Sequence, residues 1–203
     1  MSERPEAQED GSEPRVGADR RVRADAQRSL DALLVAAKAV FATSGVDAPV
    51  REIAEQAGVG LGTLYRHFPQ RADLIAAVFR REIDACANAA PMLSADRKPF
   101  EALATWMQRY AAFIAAKRGL AQALHSGDPA YDNLPGYFDQ RLRPALRTLL
   151  DAAAAADEVR ADVDADELLG AVASLGMSAH NAGPGRAERM VALLVDGLRY
   201  RST

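Results

Sequence analysis

The chain has 203 residues, 49% of them hydrophobic and 26% charged, with a formal net charge of −3 and one cysteine, Cys86. That length suits one large domain or two small ones sharing an interface. A single thiol excludes a disulfide framework within the chain and a zinc cluster, and no apolar run approaches the roughly 20 residues a membrane helix needs.

The expected location is the cytoplasm, with no membrane partner, because Met1 to Asp19 is polar and acidic and lacks the apolar core of a signal peptide. An acidic total argues at first against a nucleic-acid partner. Its distribution says more. Residues 1–19 hold 2 basic and 6 acidic side chains, residues 20–82 hold 10 and 7, and residues 83–203 hold 13 and 15. Positive charge is therefore gathered in one segment, as in a protein that sets one face on phosphate. Charge alone does not separate this from ordinary surface variation.

Residues 1–19 have no hydrophobic periodicity and contain Pro5, Gly11, Pro14 and Gly17, so a disordered tail is expected there. From Arg20 onward the pattern is helical. Alanine is abundant, and no alternating stretch is long enough for a sheet.

The first helix is expected from about Arg23 to Thr43, with Leu30, Leu33, Leu34, Ala37, Val40 and Phe41 on one stripe. Ser44-Gly45 closes it, with Gly45 left-handed. A second helix follows from Pro49, placed at the first helical position, to Ala57. A third, short helix spans Leu61 to Phe68 and stops at Pro69. A fourth spans Arg71 to about Ala90, and Pro91 ends the block.

The second half is helical too. Segments are expected over Pro99–Lys117, Leu120–His125, Tyr137–Ala155, Asp164–His180 with Asp164 as cap, and Arg186–Tyr200. Ser126-Gly127-Asp128-Pro129 is a turn, and Tyr131 and Pro135 lie in the loop beyond it. The expected class is all-α with about nine helices. A three-helix head is followed by a helical body. The boundaries are a tail over 1–19, a head with its linking fourth helix over 20–90, and a body over 91–203.

Two short helices joined at Gly58-Val59-Gly60 make a helix-turn-helix. Ala57 must be small where the helices cross. Gly58 must adopt a conformation that larger residues resist. Val59 plugs the core, and Leu64 and Phe68 point back to it. Gly62, Thr63, Tyr65, Arg66 and His67 are left facing outward. A major groove about 12 Å wide accepts such a helix. Arg66 suits guanine or phosphate, and Thr63 suits a thymine methyl or phosphate. Tyr65 and His67 suit phosphate. Arg71, at the next helix start, and a basic arm of Arg20, Arg21 and Arg23 extend the phosphate-facing set.

The string Ile53-Ala54-Glu55-Gln56-Ala57-Gly58-Val59-Gly60-Leu61-Gly62-Thr63-Leu64-Tyr65-Arg66-His67-Phe68 closely resembles the DNA-binding signature of TetR-family regulators. Ala37-Lys38-Ala39-Val40-Phe41, Gly45 and Asp73-Leu74 match as well. The resemblance covers about residues 23–85, and beyond them only the all-helical layout matches. Two positions depart from the pattern: Ala48-Pro49 stands where a Thr or Ser cap is frequent, and Gly60 where Ser is frequent. Glycine is a tolerated cap.

The resemblance implies a double-stranded DNA operator, a small-molecule effector bound by the C-terminal helices, and a homodimer made by the last two helices. Leu168, Leu169, Val172, Leu175, Met190, Val191, Leu193, Leu194 and Leu198 supply apolar surface there. Gly170, Ala173, Ser174 and Gly176 allow close approach. Candidate effector contacts are Trp106, Met107, Tyr110, Phe113, Leu124 and His125, with Tyr137, Phe138, Met177 and His180. Each is equally a core residue on sequence grounds.

No cofactor or metal is expected. His125 and His180 lack a spaced acid or cysteine cluster, and the acidic run Asp162, Asp164, Asp166, Glu167 suits helix capping better than calcium. Two other classes stay open: a small-molecule-processing enzyme using His125, Asp128 and Tyr131, and a scaffold that binds protein partners. No nucleophile elbow, phosphate loop or dinucleotide fingerprint supports the enzyme.

Overall fold

Alanine-rich stretches with apolar residues three and four apart fold as helices throughout. In a computed structural model, which describes residues 16–117, 126–178 and 185–199, there are nine α-helices and no strand among the described residues. They are α1 (Val16–Ser44), α2 (Val50–Ala57), α3 (Leu61–His67), α4 (Arg71–Ala87), α5 (Ala89–Asp96) and α6 (Pro99–Lys117). A 3-10 turn at Pro129–Tyr131 leads to α7 (Leu134–Ala155), α8 (Ala165–Ser178) and α9 (Arg186–Gly197).

Helices α1, α2 and α3 pack together as the head. Leu33, Ala37 and Val40 of α1 are buried with Ile53 and Ala54 of α2 and with Leu64 and Phe68 beside them. In the body, α6 packs against α4, α5, α7, α8 and α9. Its Leu103, Trp106 and Met107 are fully buried. Helix α4 belongs to both parts, packing on α1 as well as on α6 and α7.

Several expected boundaries move. Helix α1 begins at Val16, so the last residues of the expected disordered tail are helical. Arg20, Arg21 and Arg23 consequently sit within α1 and are not an arm ahead of it. Pro49 is the N-cap of α2 and not its first residue, and its carbonyl accepts from the Glu52 N–H at 3.0 Å. Pro91 does not stop the head: it is the third residue of α5, where a missing N–H costs no helical bond. Helix α7 starts at Leu134, three residues early, with Pro135 in its first turn. Tyr131 belongs to the 3-10 turn and is buried. The short helix expected over Leu120–His125 lies outside the described residues.

Asp164 caps α8 as expected. Its Oδ1 accepts from the Asp166 N–H at 2.8 Å and the Glu167 N–H at 3.0 Å. The Glu167 bond is the largest cause holding its carboxyl below the ordinary value.

The small residues of α8 divide in their roles. Gly170 is exposed, with open space about it. Gly176 is buried, and a Cβ there would stand 2.8 Å from Ile114 Cγ2 of α6. Gly176 therefore serves packing within the chain. Gly176→Val should cost about 1–3 kcal/mol by overpacking, read as a lower urea midpoint at unchanged slope. Gly170→Ala, facing open space, should leave the midpoint the same or higher.

Candidate nucleic-acid interface

The turn between α2 and α3 follows from its backbone. Gly58 ends α2 in the left-handed region at φ 68° and ψ 29°, and its N–H reaches the Ala54 and Glu55 carbonyls. A side chain at this φ is strained, because its Cβ crowds the following carbonyl. The Val59 N–H then donates to Ala54 O at 3.0 Å, which folds the chain back under α2. Gly60 is extended, and its carbonyl accepts from Thr63 and Leu64 to start α3. No side chain caps α3.

The outward set on α3 matches the sequence expectation. Gly62, Tyr65 and Arg66 are exposed, Tyr65 by 51%. Thr63 and His67 are half-buried, while Leu64 and Phe68 are anchored in the core. Because Leu64 and Phe68 lie four residues apart, they fix the rotation of the helix and so the face it presents.

Arg71 has a more specific task than the sequence suggested. Its Nη1 donates to Val46 O at 2.5 Å and Ala48 O at 2.7 Å. It thus ties the loop between α1 and α2 to the start of α4. The Gln70 N–H donates to Asp73 Oδ2 at 3.0 Å, capping α4 at the same point. Farther along, Arg81 pairs with Asp31 at 2.6 Å and Lys38 with Glu82 at 2.7 Å, joining α1 to α4. The Arg81 guanidinium, and then the Gln27 amide, hold the Asp31 carboxyl below its ordinary value.

Arg20, Arg21 and Arg23 are exposed on the first half of α1, where every described side chain before Ser29 is exposed. Helix α1 has 29 residues, so it is about 43 Å long at 1.5 Å per residue. This stretch is a helical extension of the head.

The candidate effector residues fall into distinct places. Trp106, Met107 and Tyr110 are buried to within 1%. Trp106 Nε1 donates to Cys86 O at 2.9 Å, and the Tyr110 hydroxyl to Leu169 O at 3.3 Å. Their polar tips thus satisfy helix carbonyls, and Trp106 and Tyr110 stack at 5.7 Å between centroids. Burial pushes the Tyr110 phenol upward, and the Cys86 thiol up to about 12. Phe113 and Phe138 stack at 6.2 Å, and Phe138 is only half-buried. Met177 falls in the last turn of α8. Leu124, His125, His180 and the Met177 side chain lie outside the described residues.

Tyr137, expected as a pocket wall, lines a cavity and also bridges two helices. Its hydroxyl donates to both oxygens of Asp84, at 2.7 and 2.8 Å. Arg141 joins the same carboxylate through Nε at 2.7 Å and reaches Asn88 Oδ1 through its other nitrogen at 2.9 Å. Asp84 lies in the last turn of α4 and Asn88 caps its end, while Tyr137 and Arg141 are one turn apart on α7. Sequence reasoning missed this set because its partners are 53 and 57 residues apart with no local signature.

Two cavities open away from Trp106, Tyr110 and Phe113. One of about 530 Å³ lies between the α7–α8 connection and α9, walled by Val163, Leu168, Leu193 and Leu198 with Arg160 and Asp162 at its edge. Another, of about 450 Å³, lies beside Tyr137 and is lined by Arg80, Asp132, Asn133 and Gln140.

A short helix held outward on a three-helix head, with an all-helical body attached through one shared helix, defines a helix-turn-helix regulator of transcription. Residues 33–78 match the family model described as bacterial regulatory proteins of the tetR family. Residues 98–200 match that of the C-terminal domain of SbtR-like transcriptional regulators. A TetR transcriptional regulator from Streptomyces coelicolor is 39% identical, with a TM-score of 0.73, over 85% of this chain and 99% of that one. A TetR regulatory protein from Mycobacterium vanbaalenii is 36% identical, with a TM-score of 0.68, over 88% and 99%. An HTH-type transcriptional regulator of Staphylococcus aureus is 36% identical over 64 residues, a stretch spanning 35% of that relative and 31% of this chain. The chain belongs to the TetR family of bacterial transcriptional regulators, which are not enzymes.

The two arginines nearest α3 should separate by experiment. Arg71→Ala should lower the melting temperature, because Val46 O and Ala48 O lose their donor. Arg66→Ala should leave it unchanged. Gly58→Ala should destabilise the chain by about 1–2 kcal/mol, measured by chemical unfolding.

Proposed function

We propose that this chain is a ligand-responsive repressor that binds a pseudopalindromic operator as a homodimer and leaves it when a small molecule occupies the body. The observation that carries this is the division of α3. Leu64 and Phe68 lock it to the head, while Gly62, Tyr65 and Arg66 stand exposed with Thr63 and His67 beside them. In this reading Arg66 reaches a base edge or phosphate, and Thr63, Tyr65 and His67 set register on the backbone. Arg20, Arg21 and Arg23 add phosphate contacts from α1, and Arg71 contributes mainly by shaping the head.

Helix α9 supports the dimer. Ala187, Val191 and Val195 are buried on its inner face, and Leu198 just beyond its end is buried with them. Met190 is 39% and Leu193 69% exposed on another face, with Leu194 half-buried between. A helix apolar on two faces requires a second cover. A copy of α8 and α9 supplies it through a two-fold axis. The two α3 helices would then meet successive major grooves about 34–36 Å apart.

Effector binding shifts α4, and the pair of heads leaves that spacing. This requires different ligand affinities for the two arrangements. Tyr137 and Phe138 are the described members of the expected pocket wall with partly exposed rings.

The test is binding to DNA upstream of the protein's own gene, followed by fluorescence anisotropy across salt concentrations. Specific binding that weakens steeply with salt is expected. Its absence on every promoter fragment would sink the repressor. Arg66→Ala should cost about 1–3 kcal/mol at one operator position if Arg66 reads a base, and a uniform loss over all sequences would assign it to phosphate. Leu193→Asp should give a monomer by sedimentation. A dimer that survives it would place the interface elsewhere.

A further inference from the structure

The polar contacts between α4 and α7 form a ladder of two rungs. Asp84 in the last turn of α4 and Asn88, its C-cap, are the acceptors, and Tyr137 and Arg141 of α7 the donors. Around this ladder the seam is apolar, with Phe79 and Ile83 of α4 and Leu142 of α7 buried. Apolar burial is non-directional, so such a seam tolerates small slides and rotations. Such hydrogen bonds are directional and, from the guanidinium or to the carboxylate, charge-assisted, so three contacts to the Asp84 carboxylate and one to the Asn88 amide oxygen, at 2.7 to 2.9 Å, specify one register.

Resting on the repressor reading, we propose that Asp84, Asn88, Tyr137 and Arg141 form a latch that sets the angle of the head against the body. They act as positioning residues for the spacing of the two recognition helices. The latch sits near the end of α4, the helix shared by head and body. The other end of that helix is tied to the head by Arg71. From Arg71 to Asp84 the rod is about 20 Å long, so a small turn at the latch becomes a displacement of α3.

Its placement also makes the latch reversible. The side chains of Asp84 and Arg141 are 36% and 39% exposed. When the rungs part, water takes over their hydrogen bonds, and no buried polar group is stranded. The cavity of about 450 Å³ beside Tyr137 gives the ring room to swing. The Tyr137 phenol is held above its ordinary value, first by burial and then by the Asp84 carboxylate, so it remains a donor near neutral pH.

The experiment uses the full chain, with spin labels on Glu55→Cys in α2 and Arg147→Cys in α7, both exposed positions. Labelled chains are diluted with unlabelled ones so that distances within one chain dominate. Cys86 is buried, with its thiol pushed up to about 12, and takes no label. Tyr137→Phe, which keeps the ring, and Asp84→Asn are each compared with the parent.

The expected result is a shifted or broadened distance distribution at an unchanged melting temperature. Operator affinity should change by about fivefold or more in either direction. A distribution that does not move in either variant overturns the latch, whatever the melting temperature does. Moved distances with unaltered operator affinity also overturn it, because the angle would then not matter for DNA. If the parent binds no operator fragment, the repressor reading fails by itself, while the distance measurement still decides whether these residues set the angle.

Discussion

One apolar core runs without a break from Leu33 in α1 to Leu198 beyond α9, and α4 is the helix through which head and body share it. Leu74, Ile75, Val78, Phe79 and Ile83 are all buried along α4. This constraint explains much of the rest. A helix buried on several sides packs against head and body at once, so its position is set by both. It also explains why polar groups at the ends of α4 matter beyond their strength. Exposed ion pairs such as Arg81–Asp31 and Lys38–Glu82 are worth little as stabilisers. As directional contacts on a shared rod, they define where it lies.

The head was legible in the sequence because its information is local. Gly58 and Val59 make a turn within three residues, and Leu64 and Phe68 recur at one helical turn. Gly45 and Gly58 both adopt the positive φ expected of them. The body was legible as helices but not as a site. Trp106 and Tyr110 carry an aromatic pattern that suits a pocket wall and a core equally. What decides between them is where each polar tip finds its acceptor: Cys86 O and Leu169 O, from helices 20 and 59 residues away. No periodicity encodes that choice.

The boundary differences have two causes. Pro91, expected to end a helical block, and Pro135, expected in a loop, both lie in the first turns of helices, α5 and α7, where no N–H is needed. Pro144 sits well inside α7 on its exposed side and does not end it. Helix α1 extends beyond its apolar stripe, because alanine and arginine sustain helix without a surface to pack on. Burial marked where α1 begins to pack, and propensity carried it farther. Gly176 is a parallel case in α8. Its lack of a side chain suited an interface between chains, and the structure uses it against Ile114 of the same chain.

Trp106 is the only tryptophan in the sequence. It is fully buried, stacked on Tyr110, with its indole nitrogen on the carbonyl of Cys86 near the end of α4. Intrinsic fluorescence excited at the indole band therefore comes from a single spot, at the junction of α4 and α6. A dry, hydrogen-bonded indole is the expected emitter, and a change in its colour or lifetime would report movement of the end of α4. The protein carries its own optical probe, bonded to a carbonyl that lies between Asp84 and Asn88, the residues that join the end of α4 to α7.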